Sequence, residues 1–128
     1  MPQNRETGAE GNRFGREYGE RITAALGGKL LRSGSNECIL DGRRVSLHCA
    51  GVRTTSVGVL YDMLERIDAV IAAFQQDDGS FRVFQLALQQ YKENMRPTGS
   101  RGASARKVGL VTRAVFEREG RLVGVVRV

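Results

Sequence analysis

Residues 34–49 read GSNECILDGRRVSLHC. Within them, 37–41 and 43–49 alternate apolar and polar side chains with the two-residue period of a strand. Between the runs stands Asp41–Gly42, a pair favoured in two-residue hairpin turns because such turns need positive φ at their central positions. Taken literally, the turn fixes the register. Leu40 faces Arg43, Ile39 faces Arg44, Cys38 faces Val45 and Glu37 faces Ser46. Cys38, Leu40, Val45, Leu47 and Cys49 then share one side of the ribbon; Glu37, Ile39, Arg44, Ser46 and His48 share the other. Directly opposed side chains lie about 5 Å apart. Glu37, Ser46 and, two residues further on, His48 thus form a polar cluster on one face.

The rest of the chain builds outward from this hairpin. Upstream, Phe14, Tyr18, Ile22, Ala25 and Leu26 recur at helical spacing, and Gly27–Gly28 can end the helix in a left-handed cap. This predicts a helix over 14–26, preceded by a mobile tail at 1–13 where apolar groups are few. KLLRS at 29–33 predicts a short strand, which completes an antiparallel meander of three strands. Downstream, AGVRTTS reads as a loop whose Thr55 or Ser56 can cap a helix. Val57, Leu60, Tyr61, Leu64 and Ile67 make that helix's apolar stripe. AVIAAF at 69–74 is a continuous apolar run, as expected of a central strand buried on both faces. DDGS turns into a further strand, FRVFQL at 81–86, and 87–95 predicts a short helix. A helix between the third and fourth strands is the usual crossover for a parallel pair. Residues 96–107, RPTGSRGASARK, replace apolar periodicity with Gly, Ser, Pro and basic residues and predict a flexible basic loop. VGLVTRAVF and RLVGVVRV follow, the latter as a terminal strand. The expected architecture is one α/β domain over 14–128, an αβββαβ core with a mixed sheet flanked by helices and strand additions at its C-terminal end.

With 128 residues, 41% hydrophobic and 27% charged, the chain suits one globular domain with a modest core. No apolar run approaches the ~20 residues that span a membrane, and the polar N-terminus has no apolar signal core. No membrane partner is expected, and the cytoplasm is the expected location. A net charge of +6 favours a polyanionic partner, because each phosphate contact releases counterions. Cys38 and Cys49 differ in height along the hairpin by about four residues at ~3.3 Å each, too far apart for a disulfide. Free thiols suit a reducing compartment, and two cysteines with one histidine lack zinc-site spacing.

The αβββαβ order with this hairpin resembles the PD-(D/E)XK nuclease superfamily, the fold of many restriction endonucleases and Holliday-junction resolvases. The resemblance covers roughly residues 14–86. On it, the family's acid at the start of the second strand maps to Glu37, preceded by a glycine-serine loop in GSNE. The (D/E)-X-K of the third strand maps to Ser46-Leu47-His48, and a first-helix glutamate frequent in the resolvase branch maps to Glu20, or less well to Glu17. The resemblance implies a restriction-endonuclease-like fold, DNA rather than RNA as partner, and a catalytic set of Glu20, Glu37, Ser46 and His48. Glu20 and Glu37 would hold Mg²⁺ or Mn²⁺ in a divalent-metal-dependent deoxyribonuclease. Two departures count against that chemistry. Mg²⁺ wants hard, charged oxygen ligands, and Ser46 stands where the second acid belongs. His48 replaces the lysine; it can act as a base near its unperturbed pKa but supplies no permanent ammonium. If the centre is lost, no cofactor is expected.

Other acids have simpler readings. Asp62 and Glu65 lie off the apolar stripe of their segment, and Asp77 and Asp78 serve the DDGS turn. Glu37 itself has a structural reading, a strand-edge charge paired with Arg44 or Arg32. Arg53, after the third strand, and Arg96, Arg101, Arg106 and Lys107, in the basic loop, are the candidate phosphate contacts. Three readings stand open: a metal-dependent nuclease; a non-catalytic domain that binds nucleic acid or a partner protein; and a homo-oligomer, such as a homodimer, that buries the polar hairpin face.

Overall fold

The computed structural model describes residues 5–31, 35–97 and 107–128, with side chains from residue 14 onward. In chain order the elements are α1 (Arg5–Ala25), β1 (Lys29–Leu30), β2 (Glu37–Leu40), β3 (Arg43–Ala50), β4 (Ser56–Leu60), α2 (Tyr61–Leu64), β5 (Ala69–Gln75), β6 (Phe81–Ala87), α3 (Leu88–Asn94), β7 (Arg96–Pro97), β8 (Val108–Thr112), α4 (Arg113–Glu119) and β9 (Arg121–Val126).

The hairpin forms as its sequence dictates. β2 and β3 pair antiparallel with Glu37 opposite Ser46 and Leu40 opposite Arg43. Asp41 and Gly42 have φ of 53° and 76°, both positive, as a type I′ turn requires. α1 ends where the glycines predict. Gly27 takes φ 81° and donates its N–H to the Ala24 carbonyl at 3.0 Å, while the Gly28 N–H donates to the Thr23 carbonyl at 2.8 Å. That pair of bonds is a Schellman cap. The helix starts at Arg5, well ahead of residue 14. Extending an anchored helix adds one hydrogen bond per residue fixed, so a polar segment can follow it without apolar groups of its own.

The main sheet has six strands in the order β1-β2-β3-β5-β6-β9. β3 and β5 run parallel, with Ser46 beside Val70 and His48 beside Ala72. The other neighbours are antiparallel, so the sheet is mixed. β5 is its buried centre, where Ala69 to Phe74 are at most 1% exposed.

The crossover departs from expectation. The predicted helix over 57–67 is instead a strand, β4, followed by the single turn α2. β4 pairs with β8, and β8 with β7, in a second sheet of order β4-β8-β7. Val57, Leu60 and Leu64 fit a helical stripe, but Val57 and Val59 also fit period two, and both are buried. Gly58 is a poor helix residue, and a Cβ there would press on Val108 and Leu110 of β8. The basic loop is also shortened. Arg96–Pro97 is strand β7, while 98–106, with Arg101 and Arg106, lies outside the described residues. VGLVTRAVF divides into β8 and α4, and the Thr112 hydroxyl caps α4 by accepting from the Val115 N–H at 3.4 Å.

Two apolar layers hold the sheet. Cys38, Leu40, Val45, Leu47, Ile71 and Val83 pack on one face, with Phe14, Tyr18 and Ile22 of α1 and the following Leu26 over them. On the other face Val70, Ala72, Phe74, Phe84 and Leu86 meet the second sheet and the short helices. Tyr91, fully buried on α3, shares its single O–H between the carbonyls of Gly109 at 2.7 Å and Val57 at 3.1 Å, bridging β4 and β8. Burial pushes its hydroxyl pKa upward, so it remains a donor across the working pH range. Tyr91→Phe is expected to cost about 1–2 kcal/mol, the price of carbonyls left without this partner, read as a lower urea midpoint at unchanged m-value.

Candidate functional site

Strand alternation decides which side chains meet. Cys38, Val45 and Leu47 belong to the layer under α1, so Glu37, Arg44, Ser46 and His48 project to the opposite face. There Glu37 is nearly sealed, 3% exposed. Its Oε2 accepts from Arg44 Nε at 2.8 Å, with Arg44 Nη2 at 2.7 Å. Its Oε1 accepts from Arg66 Nη2 at 2.5 Å. Arg44 lies diagonal to Glu37 across the hairpin, within reach of a long side chain. Arg66 follows α2 and is steadied by its Nη1, which donates to the Asp62 carbonyl at 3.1 Å. The Glu37 N–H donates to Ser35 Oγ at 3.0 Å. Leu31, Ser35, Glu37, Arg44 and Arg66 line a cleft of about 310 Å³. The Arg66 hydrogen bond, aided by Arg44, holds the Glu37 carboxyl below the usual carboxylate range against the opposing effect of burial.

Ser46 and His48 share this face but not this network. Ser46 is fully buried. Its Oγ and His48 Nε2 are buried with no hydrogen-bond partner among the described residues. Burial pushes the His48 pKa down to about 4. An imidazole of that pKa is neutral at pH 7 and a weak base, far from the value a general base needs. On the far face, burial raises the Cys49 thiol to about 12 and the Cys38 thiol above its ordinary value. Both cysteines are free, and neither carries thiolate character at neutral pH.

Glu20 is not part of this arrangement. It is exposed on α1, which packs against the opposite face of the sheet. The Mg²⁺ or Mn²⁺ that the resemblance implies does not fit the residues present. Both Glu37 oxygens are committed to guanidiniums, and a dication would have to displace two cations to reach them. Among the described residues no three His, Cys, Asp or Glu side chains converge.

The basic candidates are dispersed. Arg53 is exposed in the loop after Ala50, beyond the end of β3 remote from Arg44. Arg96 is exposed at the start of β7, and Lys107 is exposed just before β8. The Lys107 carbonyl accepts from the Tyr61 N–H at 2.7 Å, which ties that end of the hairpin to α2. The pairing of Glu37 with Arg44 was one of two partners its sequence position offers. Arg66 carried no signal, because its place depends on a crossover that the sequence pattern describes as one long helix. A buried acid requires a cation, but which cation is a matter of tertiary folding.

The chain is a mixed α/β domain, a mixed sheet flanked by helices, with the β2 carboxylate Glu37 clamped between Arg44 of β3 and Arg66 after α2. No family model matches the chain, and no curated protein matches it. Among solved structures it is similar to Hjc, a Holliday junction resolvase from the archaeal hyperthermophile Archaeoglobus fulgidus. That similarity has 12% sequence identity and a TM-score of 0.44, over 88% of this chain and 91% of the other. No described helix is long and apolar enough to cross a membrane.

Proposed function

We propose that this chain is a nucleic-acid-binding protein, for DNA before RNA, on a restriction-endonuclease-like frame whose metal-dependent cleavage centre has become an arginine–carboxylate site. Glu37 carries the reading. It stands opposite Ser46 at the hairpin position that the resemblance assigns to the metal-binding acid, yet its charge is taken up by Arg44 and Arg66. The neighbouring positions agree, with a buried serine and a neutral histidine where an acid and a lysine would act. The net charge of +6 and the exposed Arg53, Arg96 and Lys107 supply attraction for phosphates, joined by Arg101 and Arg106 of the basic segment.

Fluorescence anisotropy with labelled duplex, four-way junction and single strand tests it. Three phosphate contacts correspond to a salt slope near −3, a loss of several tens-fold in affinity between about 50 and 200 mM salt. Replacing Arg101, Arg106 and Lys107 together by alanine should weaken binding to all sequences and flatten the slope by up to about three. Added Mg²⁺ or Mn²⁺ should produce no cleavage. The reading fails if no nucleic acid binds at low salt, or if metal-dependent cutting appears and is lost in Glu37→Ala.

One observation favours a second reading, self-association. Leu122 and Val125 are 47% and 58% exposed on β9, one of the two outer strands of the six-stranded sheet. An exposed apolar edge strand is a template for pairing with another chain. Light scattering on the eluting protein separates a monomer from a dimer, and Val125→Lys should dissociate a β9-mediated dimer.

A further inference from the structure

We infer that the cleft over Glu37 is an oxyanion pocket, formed by Arg44, Arg66 and Ser35, that seats a phosphate group of the backbone where the resemblance places a metal ion. Its chemistry follows from the residues themselves. Only the assignment of the phosphate to DNA rests on the proposed function.

Charge comes first. Two guanidiniums share one carboxylate, which leaves these three side chains one positive charge in excess, with the Asp62 and Glu65 carboxylates also near Arg66. A phosphodiester carries one negative charge and would balance it. Exposure gives the direction of approach. The Glu37 side chain is 4% exposed, whereas Arg44 and Arg66 are 44% and 43% exposed. The carboxylate therefore lies at the floor, and the guanidiniums present their outer edges to solvent.

The donors are also in place. A guanidinium has five N–H groups, and among the described residues Glu37 and the Asp62 carbonyl leave some unused on each arginine. Ser35 Oγ accepts from the Glu37 N–H, and among the described residues its own O–H has no acceptor, so it can donate into the cleft. Planar guanidinium forks match phosphate oxygens in geometry, and here Glu37 has already ordered them. Preordering removes part of the entropy that flexible arginines lose on binding. Glu37 is thus a positioning residue, and the same two cations that admit an anion exclude a divalent metal.

The experiment titrates the folded full chain with inorganic phosphate and follows amide shifts by NMR against chloride at matched ionic strength. Saturable shifts at Ser35, Glu37 and Arg66 are expected. Arg66→Lys should weaken phosphate affinity several-fold, because charge remains but the fork is lost, and Arg66→Ala at least tenfold. If Arg66→Ala fails to fold, Arg66→Lys and Ser35→Ala carry the test. Glu37→Gln should also weaken phosphate, since the forks lose their anchor. Mn²⁺ should cause no saturable broadening at Glu37. A phosphate response no larger than that of chloride, or one indifferent to Arg66→Lys, overturns the pocket, as does Mn²⁺ binding abolished by Glu37→Gln. Phosphate bound through Arg66 without DNA binding at low salt retains the pocket and overturns the function. DNA binding without a phosphate response does the reverse.

Discussion

Replacing Arg44 and Arg66 together by alanine is expected to cost about 3 kcal/mol of folding stability, measured by urea unfolding at pH 7. The loss arises because the change strands the Glu37 carboxylate in a site where its side chain is 4% exposed. Breaking a buried pair by removing one partner typically costs about 3–5 kcal/mol. The low end applies here, because the guanidiniums are 43–44% exposed and their removal admits water. Removing the acid instead should cost less, since in Glu37→Gln the arginines can hydrate. The triple variant with Glu37→Gln should recover at least half of the double variant's loss, a coupling that isolates the cluster from general packing. The pH dependence has a definite sign. In the native protein the folded Glu37 pKa is lowered, so its stabilisation is present above the unfolded value and is lost as pH falls through the folded one. In the double variant burial acts alone and raises that pKa, so the gap between the two proteins should be widest at neutral pH and close below about pH 4. A double variant as stable as the native protein would mean that the cluster holds nothing together.

His48 should dominate stability between pH 6.5 and 4. Its folded pKa is lowered from 6.5 to about 4, so in that window the unfolded chain binds a proton that the native state refuses. Stability then rises with pH, at about 1.4 kcal/mol per unit while the difference is full. Acidification across the window should therefore remove about 3 kcal/mol, before the Glu37 contribution is lost at lower pH. His48→Leu removes the titrating group and a buried nitrogen without a partner. It should flatten the urea midpoint between pH 6.5 and 4 and leave neutral-pH stability within about 1 kcal/mol. An unchanged slope in His48→Leu would show that His48 is not desolvated.

Local features of the fold were legible, and non-local ones were not. Asp41–Gly42 sets the β2–β3 register because a type I′ turn leaves no alternative pairing, so the Glu37–Ser46 opposition can be read from two residues. Gly27–Gly28 likewise announces the end of α1. β4 is not legible from local residues in the same way. Its Val57 satisfies both periods, and the deciding partner, β8, lies far along the chain. That misreading carried the site with it. With 57–67 as one helix, nothing placed Arg66 beside Glu37, whereas the true single turn of α2 delivers it there. Glu20 lies apart from Glu37 for a different reason. Helical spacing shows that it lies off the apolar stripe, but not which face of the sheet the stripe covers.

The most direct test of the arginine–carboxylate site is a crystal structure of the protein soaked in Mn²⁺, with anomalous scattering recorded at Glu37. The account predicts no Mn²⁺ within bonding distance of Glu37 and both carboxylate oxygens still bonded to Arg44 and Arg66. A Mn²⁺ ion on Glu37, with either arginine turned away, would contradict it.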